Sequence, residues 1–145
     1  MPNRLRLSES LSFLLSRLGS RTSRGMVEAL ASLALQPRET GVLAAVGQFG
    51  PISQRRLSHL LEIDRSSMVT CVDRLQSLKL VTREADPEDR RVTLVTLTSR
   101  GEQAVRDAKR ELDALESELL LPLTKAEQTA FRESLGKLGR RPSES

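Results

Sequence analysis

From about Ser8 to Leu35 the apolar positions Leu11, Leu14, Leu15 and Leu18, then Met26, Val27, Leu30 and Ala31, recur at three- and four-residue spacings. That periodicity predicts one long helix, loosened at Gly19 and Gly25. Little neighbouring chain is available to cover its stripe, so the stripe suggests a partner subunit. A second helix follows "QPRE", with Pro37 and Glu39 in its first turn, and runs to the "FGP" break at Phe49 to Pro51. Ser53 suits the N-cap of a third helix carrying Leu57, Leu60 and Leu61 inward, and Asp64 suits the N-cap of a fourth, "DRSSMVTCVDRLQSLK". Two helices joined by so short a connection fit a helix-turn-helix.

Beyond the fourth helix the period changes. "LVTRE" and "RVTLVTL" read as strands on either side of a charged turn begun by Asp86-Pro87. Alternation in the second strand is imperfect, because Val92 and Leu94 as well as Val95 and Leu97 are apolar, so both of its faces are expected to be partly covered. Thr98 can cap a fifth helix in which Ala104, Val105, Ala108, Leu112, Leu115 and Leu119 keep helical spacing, and Pro122 ends or kinks it. "TKAE", Thr124 to Glu127, is a capping box for a last helix bearing Ala130, Phe131, Leu135 and Leu138. The expected fold is mainly α with a small β-hairpin wing. Residues 1–35 and 99–139 are expected to be helical dimerisation segments, 36–98 a winged helix-turn-helix and 140–145 a disordered tail.

Composition agrees with helix packed on helix. Three Phe, no Trp and no Tyr leave a core of Leu, Val and Ala. One cysteine and one histidine cannot make a disulfide framework or a zinc site, so no metal or cofactor is expected. Apolar residues at the N-terminus are broken by Arg, Ser and Glu, and no run approaches the roughly 20 apolar residues of a membrane span, so the reading is cytoplasmic, with no membrane partner. Net charge is +4, compatible with nucleic acid. Between Gln54 and Arg91, however, acids nearly match bases, so geometry must carry the case there.

The fourth helix sorts its residues by face. Met68, Cys71, Val72, Leu75 and Leu78 share the inward stripe; Ser66, Thr70, Asp73 and Arg74 lie opposite, with Arg65 and Ser67 in the first turn, where backbone N–H groups can meet phosphate. Small hydroxyl residues and an arginine on such a helix suit entry into a major groove. The competing reading is an ordinary solvated face. An Arg-rich tip on a two-stranded ribbon can place guanidinium in a minor groove, and Asp89 sits two residues before Arg91, close enough to hold it extended. The competing reading there is a polar hairpin tip.

Together, "DRSSMVTCVDRLQSLKLV" and "DPEDRRVTLVTLTSRG" resemble the MarR family of bacterial transcription regulators, whose wing carries Asp-x-Arg, a strand and "LTxxG". Here these are Asp89, Arg91, Leu97, Thr98 and Gly101, and the resemblance spans about Ser8 to Leu138. It implies a symmetric homodimer joined through the first, fifth and sixth helices, bound to double-stranded DNA at a near-palindromic operator and acting more often as repressor than activator. Arg91 would enter the minor groove anchored by Asp89, and Arg90 would lie along phosphate. Ser66, Ser67, Thr70 and Arg74 would face the major groove, with Arg55 and Arg65 completing the DNA-binding set. Thr70 stands where the family often has arginine, Gln36 where many relatives have a Ser or Thr cap, and Lys79 where many have glycine.

Related proteins bind small aromatic acids between the dimer lobe and the winged lobe. That implies a small-molecule effector, for which Arg17 and Arg21, four residues apart on the first helix, are candidates; a solvated face or inter-subunit ion pairs is the other reading. Cys71 is either an oxidant sensor or a buried structural thiol, and His59 a surface residue or a pH switch. Arg4 and Arg6 form a basic arm directed to DNA or across the dimer. A winged-helix protein-interaction module that does not read DNA sequence is the alternative function. An enzyme is not expected: the chain has no Gly-rich phosphate loop, no nucleophile paired with a histidine and no carboxylate cluster at metal-ligand spacing.

Overall fold

A computed structural model describes residues 4–140. Along them run α1 (Leu11–Ala31), α2 (Pro37–Phe49), β1 (Ile52–Ser53), α3 (Gln54–Leu61), α4 (Arg65–Ser77), β2 (Val81–Ala85), β3 (Thr93–Leu97), α5 (Ser99–Leu119) and α6 (Lys125–Gly139). The chain forms two compact units, Met1–Leu112 and Asp113–Ser145, the boundary falling within α5. The architecture is mainly helical with a small antiparallel sheet, as expected. Residues 141–145 of the expected tail lie outside the described residues.

Capping chemistry sets most of the helix starts. Pro37 opens α2, where the carboxylate of Glu39 accepts the Gln36 N–H at 2.9 Å. Ser53 Oγ accepts the Arg56 N–H at 3.1 Å at the start of α3, and Asp64 Oδ2 accepts the Ser67 N–H at 3.0 Å at the start of α4. The capping box of α6 is complete, with Thr124 N–H donating to Glu127 (2.7 Å) and Glu127 N–H donating to Thr124 Oγ1 (3.2 Å). α4 ends in a Schellman motif: Lys79 is left-handed (φ 61°), its N–H bonds Gln76 O at 2.9 Å, and Leu80 N–H bonds Leu75 O at 3.0 Å.

The core of the first unit is aliphatic. Leu43 and Val46 of α2, Leu57 of α3, Met68, Val72 and Leu75 of α4, Val81 of β2 and Val95 of β3 are all buried. The aromatic scarcity is thus absorbed by Leu and Val, whose packing joins the helix-turn-helix to the sheet. Val95, opposite both Ile52 and Arg83, sits at the centre of a sheet ordered β1-β3-β2. β1 was not expected: two residues are too few to show a period.

Thr98 and Gly101 explain the motif that follows β3. Thr98 Oγ1 accepts the Gly101 N–H (3.0 Å) and donates to Lys79 O (2.6 Å), tying the start of α5 to the end of α4. A Cβ at Gly101 would lie 2.0 Å from the Leu80 carbonyl oxygen, so only glycine permits this approach.

α1 is continuous, contrary to the expected loosening at Gly19 and Gly25. Each glycine costs about 1 kcal/mol of helix propensity, too little to interrupt a helix of this length. Its N-terminal stripe stands uncovered, with Leu11 at 69% exposure and Phe13, Leu14 and Leu15 above 40%. In the second unit Leu135 and Leu138 are likewise exposed, while Gln128 Nε2 donates to the carbonyls of Leu120 and Leu123, closing the turn between α5 and α6.

Candidate nucleic-acid interface

α4 presents a buried and an open face. Met68, Cys71, Val72 and Leu75 point into the core, while Arg65, Ser66, Val69, Thr70 and Asp73 are exposed and Ser67 is half-buried. The hydroxyls on the open side are engaged within the helix. Ser66 Oγ donates to Asp64 Oδ2 at 2.7 Å, and Thr70 Oγ1 donates back to Ser66 O at 3.1 Å. The Ser67 hydroxyl, then the Ser67 N–H and the Ser66 hydroxyl, hold the Asp64 carboxyl well below the usual carboxylate range. The N-cap is therefore an anion at neutral pH.

Arg74, expected to face the major groove, is exposed, and its Nε donates to Glu39 Oε1 at 2.5 Å and its Nη2 to the Ala34 carbonyl at 2.8 Å, joining α4 to the start of α2. Glu39 is 5% exposed, and a carboxylate removed from water needs a charged or hydrogen-bonding partner, which Arg74 supplies. Helical periodicity puts Arg74 on the open face, and no local signal shows that Glu39 reaches it across 35 residues of chain.

Arg83 forms a link between elements that the sequence does not reveal. Its guanidinium, on β2, binds Gln54 Oε1 (2.6 Å), Gln76 Oε1 (2.8 Å) and Asp73 Oδ1 (2.7 Å), so one side chain connects the wing to α3 and α4. Within "LVTRE" nothing in the local sequence shows these partners, which lie on other elements.

At the wing tip, Asp86 N–H donates to Val92 O (2.8 Å), Val92 N–H to Asp89 O (2.9 Å), and Glu88 N–H to the Asp86 carboxylate (2.9 Å). Asp89 grips Arg91 with both oxygens, Oδ1 to Nε at 3.0 Å and Oδ2 to Nη2 at 3.2 Å, and also accepts the Arg91 N–H. The Arg91 side chain nevertheless stays 90% exposed. The guanidinium beside Asp89 holds that carboxyl below its ordinary range. This is a cation held out from the body of the protein on a fixed stem, and Arg90 and Arg55 are also exposed.

The remaining candidates occupy other places. Arg17 and Arg21, with Leu14 and Leu18, line a shallow groove of about 310 Å³ along α1. Cys71 is buried, and burial first, then the Glu39 charge, pushes its thiol up, against Arg38 and Arg74, which pull it down; this suits a structural thiol. His59 is exposed on α3, and Arg6 pairs with Glu9 at 3.2 Å. Among the described residues no cluster of His, Cys, Asp and Glu could hold a metal ion, and no helix is long and apolar enough to cross a membrane.

A family model described as "MarR family" matches residues 35–92, the stretch from the end of the α1–α2 turn through β2 and the wing tip. Solved structures superpose over nearly the whole chain. A cysteine-to-serine mutant of MarR from Escherichia coli, complexed with operator DNA, aligns at TM-score 0.79 and 26% identity, covering 90% of this chain and 94% of that one. The chain belongs to the MarR family. It is a transcription regulator rather than an enzyme.

Among curated MarR-type relatives, the transcriptional repressor Rv2887 of Mycobacterium tuberculosis is 29% identical over 129 residues, 89% of this chain and 93% of the relative. Its structure in complex with salicylic acid aligns at TM-score 0.73 and 28% identity, covering 90% of this chain and 96% of that one. YdgJ of Bacillus subtilis, an uncharacterized regulator, is 30% identical over 87 residues, 60% of this chain; the matched stretch spans about half (53%) of that relative's length.

Proposed function

We propose that the protein is a homodimeric, sequence-specific repressor that binds a near-palindromic operator through α4 and the wing. The observation that carries this reading is the paired geometry of Arg91 and Asp89: a mobile surface arginine would not need a bidentate carboxylate, whereas a guanidinium meant for a narrow minor groove benefits from being held extended. The E. coli homologue's complex with operator DNA supports the same use of the fold. Arg55, Arg65 and Arg90 supply phosphate contacts, Ser66, Ser67 and Thr70 face base edges, and Arg74 positions α4 rather than reading bases.

Dimerisation is supported by the exposed Leu11, Leu14 and Leu15 on α1 and by Leu135 and Leu138 on α6, apolar surface that an isolated chain leaves in water. Two α4 helices then meet half-sites about 34–36 Å apart, and a ligand favouring another spacing lowers affinity. A small carboxylate is the effector class that Arg17 and Arg21 suit, in keeping with the salicylic acid bound by Rv2887.

Salt dependence separates this reading from a protein-interaction module. Titration of a fluorescent duplex across potassium chloride concentrations should show log affinity falling linearly with log salt, because phosphate contacts release counterions. A flat dependence would instead favour a largely apolar protein partner.

A further inference from the structure

We infer that Val69 is a specificity-determining residue that reads the 5-methyl group of a thymine in the major groove; the inference rests on the DNA-binding reading above. Val69 is 42% exposed on the open face of α4, the one large apolar side chain of that helix left outside the core. The donors of its polar neighbours are engaged within the protein, Ser66 donating to Asp64, Thr70 to the Ser66 carbonyl and Arg74 to Glu39 and the Ala34 carbonyl, while Asp73 holds Arg83, so the two hydroxyls can meet base edges only as acceptors. Guanine is best read by a guanidinium offered to its O6 and N7, and the middle turns of α4 offer none. What they offer is an isopropyl group, whose complement among base edges in the major groove is the thymine methyl.

Two features make the contact selective. A β-branched side chain in a helix keeps essentially one χ1 rotamer, so the methyls of Val69 are presented with little entropy to lose. The turn that carries them is also fixed from behind, since Arg83 of β2 reaches the Val69 carbonyl (3.4 Å) while binding Gln54, Gln76 and Asp73. The apolar contact is thereby held in register with the wing.

Deoxyuridine substitution tests this directly. Random duplexes are enriched on the full-length protein, and each thymine of the enriched half-site is replaced in turn by deoxyuridine, which keeps the base pair and removes only the methyl. Wild type should bind about 4-fold more weakly when one particular thymine per half-site is replaced, the worth of one buried methyl. Val69→Ala should bind the two duplexes equally, and Val69→Thr, which keeps one methyl, should retain part of the discrimination. Wild type indifferent to deoxyuridine at every position, or Val69→Ala keeping the full penalty, would overturn the inference while leaving DNA binding standing. Enrichment of no sequence at all would overturn the DNA-binding reading and the inference with it.

Discussion

The guanidinium of Arg74 is bound to the buried carboxylate of Glu39, Nε to Oε1 at 2.5 Å, and through Nη2 to the Ala34 carbonyl at 2.8 Å. An arginine on the recognition helix thus spends its hydrogen bonds on the scaffold and sets how α4 leans against α2. Breaking either partner leaves a charged group without its mate. In a double-mutant cycle of Glu39→Gln and Arg74→Met followed by urea unfolding, the coupling energy should be about 1–2 kcal/mol. Operator affinity should fall with no change in the base preferred at any position. Arg74→Met with unchanged stability and relaxed preference at one base pair would instead make Arg74 a base-reading residue.

Arg91 stands 90% exposed in the grip of Asp89. Arg91→Ala should weaken binding to every duplex tested and reduce the slope of log affinity against log salt by about one. Asp89→Asn should act in the same direction but less, because the cation remains while its stem loosens. Unchanged affinity of Arg91→Ala in a fluorescence titration would remove the wing contact from the account.

Thr70 occupies the open face of α4 with its hydroxyl bonded back to Ser66 O. Thr70→Ala should relax preference at one or two base pairs, read by competition among single-substitution duplexes. Equal weakening on all of them would assign Thr70 to positioning.

Two backbone positions make opposite predictions for stability. Lys79 adopts φ 61° at the end of α4, a conformation that costs a non-glycine residue roughly 1–2 kcal/mol, so Lys79→Gly should raise stability by about 0.5–1 kcal/mol after glycine's own entropy is counted. Gly101→Ala should lower it by about 1–3 kcal/mol, because the new methyl meets the Leu80 carbonyl oxygen at 2.0 Å. Chemical denaturation of the two variants beside wild type checks both signs.

The Asp64 cap should leave a trace in acid. Its carboxyl is depressed in the folded protein, so its stabilisation is fully present above the ordinary value of 3.8 and is lost as pH falls through the lower folded value. Asp64→Asn keeps a capping oxygen that cannot ionise. It should melt below wild type at pH 7, and the gap should close as pH drops below about 4. A gap that stays constant as pH falls well below 4 would mean that ionisation of Asp64 adds nothing.

Helix starts were legible because each rests on a local bond between residues three or fewer apart: Ser53, Asp64, Thr98 and Thr124 all cap as their sequence context implies. The buried stripe of α4 was legible for the same reason, since Met68, Cys71, Val72 and Leu75 need only helical geometry to share a face. Lys79, noted as an odd residue where glycine is common, proved to occupy the left-handed end of a Schellman motif. What escaped depends on distant chain. β1 exists only because β3 lies beside it, Arg83 collects partners from α3 and α4, and Arg74 is bound by Glu39 from α2. Those placements follow from packing, which no window of sequence contains.

Recognition of a particular duplex underlies all of the binding expectations. Its most direct test is a footprinting titration of the purified protein on the DNA upstream of its own gene, with a scrambled duplex as competitor. The expected result is a saturable, two-fold symmetric footprint with half-site centres about one helical turn apart that survives excess scrambled DNA. Binding that the scrambled duplex competes away at equal concentration, with no protected site in that DNA or in fragments selected from the whole genome, would contradict it.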